Sequence, residues 1–212
     1  MKFRHLTAAA TTLVLAGTAF AAAPAQASAD APPGTRSLAK VLAADGSGFD
    51  KNARDFDILD NAVRAVLAAK PDSPVGVLAK GKTRVTAFAP TDGAFRRLAE
   101  DVTGKRYVHE RRVFGKLASS FSIDQIESVL LYHVVPGATV TYKKALAADG
   151  ATLPTALKGA TLKVRVVDGR VVLVDKDKND ANARVIYQLR DINKGNRQIA
   201  HGVNQVLRPI NL

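Results

Sequence analysis

The 212-residue chain contains no cysteine and carries 31 Lys and Arg against 19 Asp and Glu, a formal charge of +12. Without thiols it can form no disulfides, no Cys-ligated metal centre and no thiol nucleophile, so packing alone must hold the fold. The cationic balance selects anionic partners, giving their sign and not their identity.

Lys2, Arg4 and His5 precede an apolar run from Leu6 through Ala23, and Ala25-Gln26-Ala27 stands before Ser28. A charged start, an apolar stretch and a small-residue cleavage site make a secretory signal peptide, read here as residues 1–27. The same run lies near the lower length limit for a membrane span, but its alanine content and small-residue end favour cleavage. Removing 27 of the 212 residues leaves 185, a length for one domain with a sizeable core. Loss of Lys2 and Arg4 takes the charge from +12 to +10. No later stretch is apolar enough to span a bilayer, so no stable membrane insertion is expected after cleavage.

Residues 28–36 are small, polar or proline and are expected to form a flexible tether, with the domain over 37–212. Leu38, Val41 and Leu42 predict a short helix, followed by a turn around Asp45-Gly46-Ser47-Gly48. Leu59, Ala62, Val63, Val66 and Leu67 recur at spacings of three and four, the apolar face of a second helix. Asp55 or Asp57 is expected to cap it, and Pro71 to end it just after Lys70. Residues 83–89 predict a strand broken at Pro90; Thr91 then offers an N-cap, with Asp92 in the first turn and Ala94, Phe95 and Leu98 facing inward.

Residues 103–120 mix basic, aromatic and small side chains without clean periodicity and are expected as a surface excursion holding one helical turn. Ser122 offers the next cap, ahead of Ile123, Ile126, Val129 and Leu130 on one helical face. Tyr132-His133-Val134-Val135 comes next and ends at the turn Pro136-Gly137. Leu162, Val164 and Val166 alternate with Lys163 and Arg165, Asp168-Gly169 marks a type I′ turn, and Val171 to Val174 return, predicting a hairpin. Residues 185–192 and 203–207 are further strand candidates. Helices early and strands late, without an internal repeat, give one α+β domain.

The segment Thr86-Ala87-Phe88-Ala89-Pro90-Thr91-Asp92-Gly93-Ala94-Phe95 resembles the leading motif of the fasciclin (FAS1) family. Leu130-Leu131-Tyr132-His133-Val134-Val135-Pro136-Gly137 is similar to that family's central block, and residues 197–209 to its closing motif. The closing match is imperfect, with Asn204 in place of an acid and Gly202 after His201. The resemblance covers about residues 37–210. It implies an antiparallel β-wedge or sandwich with several helices packed on it, and an extracellular or cell-wall-associated adhesion module. Carried over by position, it marks Tyr132, His133, Asp191 and Ile192 as partner-binding candidates.

Read on its residues alone, His133 lies in an apolar run and suits a buried imidazole hydrogen-bonded to the backbone, with Tyr132 a core ring. Asp191 suits a turn former. The strongest local cationic cluster is Lys105, Arg106, Arg111, Arg112 and Lys116, interleaved with Tyr107, His109 and Phe114, a composition that meets polyanions. Asp175 to Asp180 lacks the glycine and the glutamate of a calcium loop and reads as a solvated hairpin loop. His109-Glu110-Arg111-Arg112-Val113 lacks the second histidine of a zinc protease. No nucleophile elbow or phosphate loop is present, so no catalytic residues, metal or cofactor are expected. The expected function is a non-catalytic adhesion or cell-envelope module whose partner is a protein or an anionic cell-wall polymer rather than nucleic acid; its oligomeric state is left open. The alternatives are a lipid or cofactor-like carrier of the same fold, or a cryptic hydrolase.

Overall fold

The computed structural model describes residues 32–44, 46 and 48–211. In chain order these form α1 (Leu38–Leu42), α2 (Asp57–Ala69), β1 (Val85–Pro90), α3 (Asp92–Thr103), α4 (Glu110–Ser120), α5 (Ile123–Tyr132), β2 (Val134–Pro136), α6 (Tyr142–Leu146), β3 (Thr152–Pro154), β4 (Thr161–Val167), β5 (Arg170–Val174), β6 (Ala183–Arg184) and β7 (Gln198–Val203). Short 3₁₀ turns stand at Pro74–Ala79 and Tyr187–Leu189. Pro33–Leu212 is one compact unit. The expected signal peptide, the start of the tether, and Asp45 and Ser47 of the expected turn lie outside the described residues.

Every residue of β1 is buried, because the strand is covered on both faces. It is the centre of a three-stranded sheet, antiparallel to β2 and parallel to β7, with Phe88 opposite His201. Val85, Ala87 and Ala89 point into a helical core with Ile58, Val66, Phe95, Val113 and Leu130. Phe88 points the other way, into a second core with Tyr132, Leu162, Leu173, Val203 and Leu207. That core is closed by the antiparallel sheet β3-β4-β5-β6. Its central hairpin turns at Asp168 (φ 51°) and Gly169 (φ 70°), the pair of left-handed residues a type I′ turn requires.

Several local expectations are corrected. Phe56, rather than Asp55 or Asp57, holds the N-cap position of α2, and Asp92, from the first turn of α3, accepts the Ile58 N–H at 3.0 Å. Thr91 holds the N-cap backbone position of α3, yet its hydroxyl makes no cap and donates to the Val203 carbonyl at 3.5 Å. Residues 110–120 form a full helix rather than an excursion. Its inward stripe is 110, 113, 114 and 117, and the acid at 110 hides the period. Residues 185–192 are no strand: Val185 bridges to Val203, the chain then makes its 3₁₀ turn, and Asp191 (φ 54°) and Asn193 (φ 66°) are left-handed. The final strand lies earlier than 203–207 and runs parallel to β1. Gly202 fits there because a Cβ would lie 2.6 Å from Leu189 Cβ of the turn covering it.

Gln198 joins the N-terminal part to this sheet. Fully buried, its Oε1 accepts the Leu38 N–H at 2.8 Å, and its Nε2 donates to the Val77 and Lys80 carbonyls at 2.8 and 3.0 Å. Gly34 and Arg36, expected in the tether, are hydrogen-bonded to the 195–197 loop: Gly34 N–H donates to the Gly195 carbonyl at 2.8 Å and Arg36 N–H to Asn196 Oδ1 at 2.9 Å.

Candidate functional site

The capping box of Ser122 and Gln125 starts α5, and its last turn delivers Tyr132 and His133 to the interior. Tyr132 is 0% exposed and His133 3%. The Tyr132 hydroxyl donates to the Thr161 carbonyl at 3.0 Å, and burial pushes the phenol well above its usual range. His133 receives the Leu207 N–H on Nε2 at 2.9 Å, which makes Nδ1 the protonated nitrogen, donating to the Val129 carbonyl at 2.7 Å. Burial pushes this imidazole down to about 4. The ring therefore ties the end of α5 to the segment after β7, and it does so as the neutral species.

Asp191 and Ile192 meet a second buried histidine. Asp191 N–H donates to His201 Nδ1 at 3.2 Å, and His201 Nε2–H donates to the Val140 carbonyl at 2.8 Å. The Asp191 carboxylate accepts the Tyr142 N–H at 2.7 Å, and Ile192 exchanges backbone hydrogen bonds with Ala200. Both are half-buried. All four carried-over candidates thus hold the domain's own elements in place. Each imidazole has both nitrogens on backbone groups, so neither is poised as a base for a serine hydroxyl.

The cationic cluster is different. Lys105, Arg106, Arg111, Arg112 and Lys116 are all exposed, and among the described residues none enters an ion pair. On α4, Arg112 and Lys116 stand one turn apart, while Arg111 lies over the Phe49 ring at 5.5 Å. Arg106 lines an open groove of about 310 Å³ with Arg96, Arg97, Tyr107 and Val108; Glu100 is its one acid. Arg96 is braced by Glu110 at 2.8 Å, and Arg97 donates to the Gly93 and Asn204 carbonyls at 3.0 and 2.8 Å. Arg96 and Arg97 extend the cluster beyond the residues expected; their signal was their place on the polar side of α3.

Asp175 to Asp180 is no solvated loop. Arg208, 5% exposed, reaches Asp177 at 3.1 Å, Asp180 at 3.1 Å and Asp101 at 2.5 Å, while its N–H donates to Asp175 at 2.8 Å. Burial raises the Asp175 carboxyl to about 6. An apolar pocket beside Arg208, between α2, α3, α4 and α5, encloses about 60 Å³. Among the described residues no helix is long and apolar enough to cross a membrane.

The profile of the fasciclin domain matches residues 60–209, more than half of the 212-residue chain. The chain belongs to the fasciclin domain family. Among solved structures, this FAS1 chain is similar to a FAS1 domain pair from the insect cell adhesion molecule fasciclin I, with 17% identity and a TM-score of 0.51. The likeness covers 74% of this chain and 48% of that one, so the chain spans about half the length of the pair, and it is a likeness of fold. No curated protein matches significantly. The family match begins at Asp60, inside α2, so α1 lies upstream of it and is joined to the matched part by the Leu38 hydrogen bond to Gln198.

Proposed function

We propose that this FAS1 domain is a secreted, non-catalytic adhesion module that grips an anionic polymer of the cell envelope through the groove between α3 and the residues leading into α4. One observation carries the reading: Arg96, Arg97 and Arg106 line a single open groove beside Tyr107, with one acid among them. Guanidinium groups take carboxylates and phosphodiesters in a fork geometry, and a half-buried tyrosine offers a flat face to a sugar ring. The insect relative is a cell adhesion molecule, which agrees with this role. A carrier of lipids or tetrapyrroles needs a cavity of roughly 300–1,000 Å³. The apolar pocket beside Arg208, at about 60 Å³, is several times smaller, and the groove of about 360 Å³ beside Phe121 and Leu157 is open to solvent rather than enclosed.

The test is binding of the chain lacking residues 1–27 to immobilised polygalacturonate and to a glycerol-phosphate polymer, against neutral dextran, from 50 to 500 mM salt. The expected outcome is retention on both anionic polymers that weakens steadily with salt. Arg97→Ser combined with Arg106→Ser should weaken it at least tenfold and flatten the salt slope. Equal retention on dextran, or undiminished binding by the double variant at low salt, overturns the proposal.

A further inference from the structure

Against its cationic whole, the chain gathers carboxylates where α2, α3 and α4 begin. Asp55, Asp92 and Glu110 bring carboxylate oxygens that all lie within 4.8 Å of one another, and Asp55 belongs to a second trio of the same spacing with Asp50 and Asp57. Asp92 is 0% exposed: its Oδ1 accepts the Ile58 N–H, and its Oδ2 meets no donor. Asp55 Oδ1 is buried and equally without a donor. Glu110, 1% exposed, accepts Arg96 on one oxygen at 2.8 Å and the Asp50 N–H on the other at 2.7 Å. Buried carboxylate oxygens facing one another without donors are costly unless something positive lies between them.

The charge and spacing indicate what that is. Three carboxylates against the guanidinium of Arg96 leave a double negative charge, which one divalent cation neutralises. The ligands are all oxygen, which selects a hard cation over a transition metal. Opposite oxygens around calcium stand roughly 4.6–5.2 Å apart, twice its bond length, whereas around magnesium they stand about 4.0–4.2 Å apart. The carboxylate oxygens lie within 4.8 Å of one another, a limit that admits the larger ion, and Asp92 and Glu110 are too buried for the water shell that magnesium keeps. Asp50 is exposed, Asp55 half-buried and Asp92 buried, so the carboxylates descend from solvent to the interior and give an ion a way in. We propose that Asp55, Asp92 and Glu110 bind one calcium ion, with Asp50 and Asp57 supplying the outer oxygens. The ion joins the loop before α2 to the first turns of α3 and α4.

The experiment is calcium titration of the chelator-treated chain by calorimetry, with melting followed in parallel. The expected result is one calcium site, a melting temperature that rises with calcium, and weaker binding of magnesium. Asp92→Asn keeps an oxygen for the Ile58 N–H while removing the charge, and Glu110→Gln and Asp55→Asn remove charge without touching that cap. Each variant that keeps a native near-ultraviolet spectrum should bind calcium at least tenfold more weakly. No heat and no melting shift with calcium would show that Asp55 and Asp92 share a proton instead, and sinks the proposal. Unchanged affinity in the folded variants, or tighter binding of magnesium, sinks it as well.

Discussion

Replacing His133 by alanine should cost the domain about 3–5 kcal/mol. The substitution removes the acceptor of the Leu207 N–H and the donor to the Val129 carbonyl, both internal bonds of a side chain that is 3% exposed. Each buried group left unpaired costs roughly 1–3 kcal/mol, and the vacated ring adds a cavity cost. For a chain of this length that corresponds to a fall of roughly 10 °C in melting temperature. The wild type carries a second, independent signature. Its folded imidazole titrates near 4 rather than the usual 6.5, so the unfolded chain takes up the proton first as pH falls. The stabilisation is complete above about 6.5 and is lost as pH falls through about 4, a change of roughly 3 kcal/mol. Asp92 and Asp175, whose carboxyls are raised chiefly by burial, push in the opposite direction. Subtracting the stability of His133→Ala from that of wild type at each pH cancels them, as it cancels His201. Urea denaturation at half-unit steps from pH 7.5 to 4.5 supplies both curves. A melting temperature within 2 °C of wild type, or a difference curve flat with pH, would refute the neutral buried imidazole.

Two further substitutions probe the joints of the domain. Arg208→Ala should lose about 3–5 kcal/mol by urea midpoint, because Asp177 stays buried without its guanidinium, and Arg208→Lys should recover only part, since one ammonium cannot span three carboxylates; a lysine variant equal to wild type would contradict this. Gln198→Leu should cost about 2–4 kcal/mol and speed amide exchange selectively over residues 34–42, whose Leu38 N–H loses its acceptor; uniform acceleration across the chain would count against the tether.

Elements that announce themselves through local chemistry were legible in the sequence. The type I′ hairpin, the Ser122 capping box and the strand ending at Pro90 depend on neighbours a few residues away. The hidden features depend on partners far along the chain. Asp92 reads as the acid of its own helix, yet it caps α2, whose first turn lies 34 residues earlier. Helix α4 was concealed because Glu110 occupies an inward position that an apolar residue normally fills. Asp177 and Asp180 look like loop acids until Arg208, about 30 residues later, is folded onto them. The cationic groove was half visible, since Lys105 to Lys116 cluster in sequence while Arg96 and Arg97 join them only through packing of α3.

The parallel pairing of β1 with β7 sets an order on assembly. Residues 85–90 wait for residues 198–203, a loop closure spanning more than a hundred positions, so the central ladder is among the slowest contacts to form. Until then one whole edge of β1, with Phe88 and its small apolar neighbours, stays open to pairing with another chain. A chain cut between β6 and β7 would therefore aggregate rather than fold into a smaller domain.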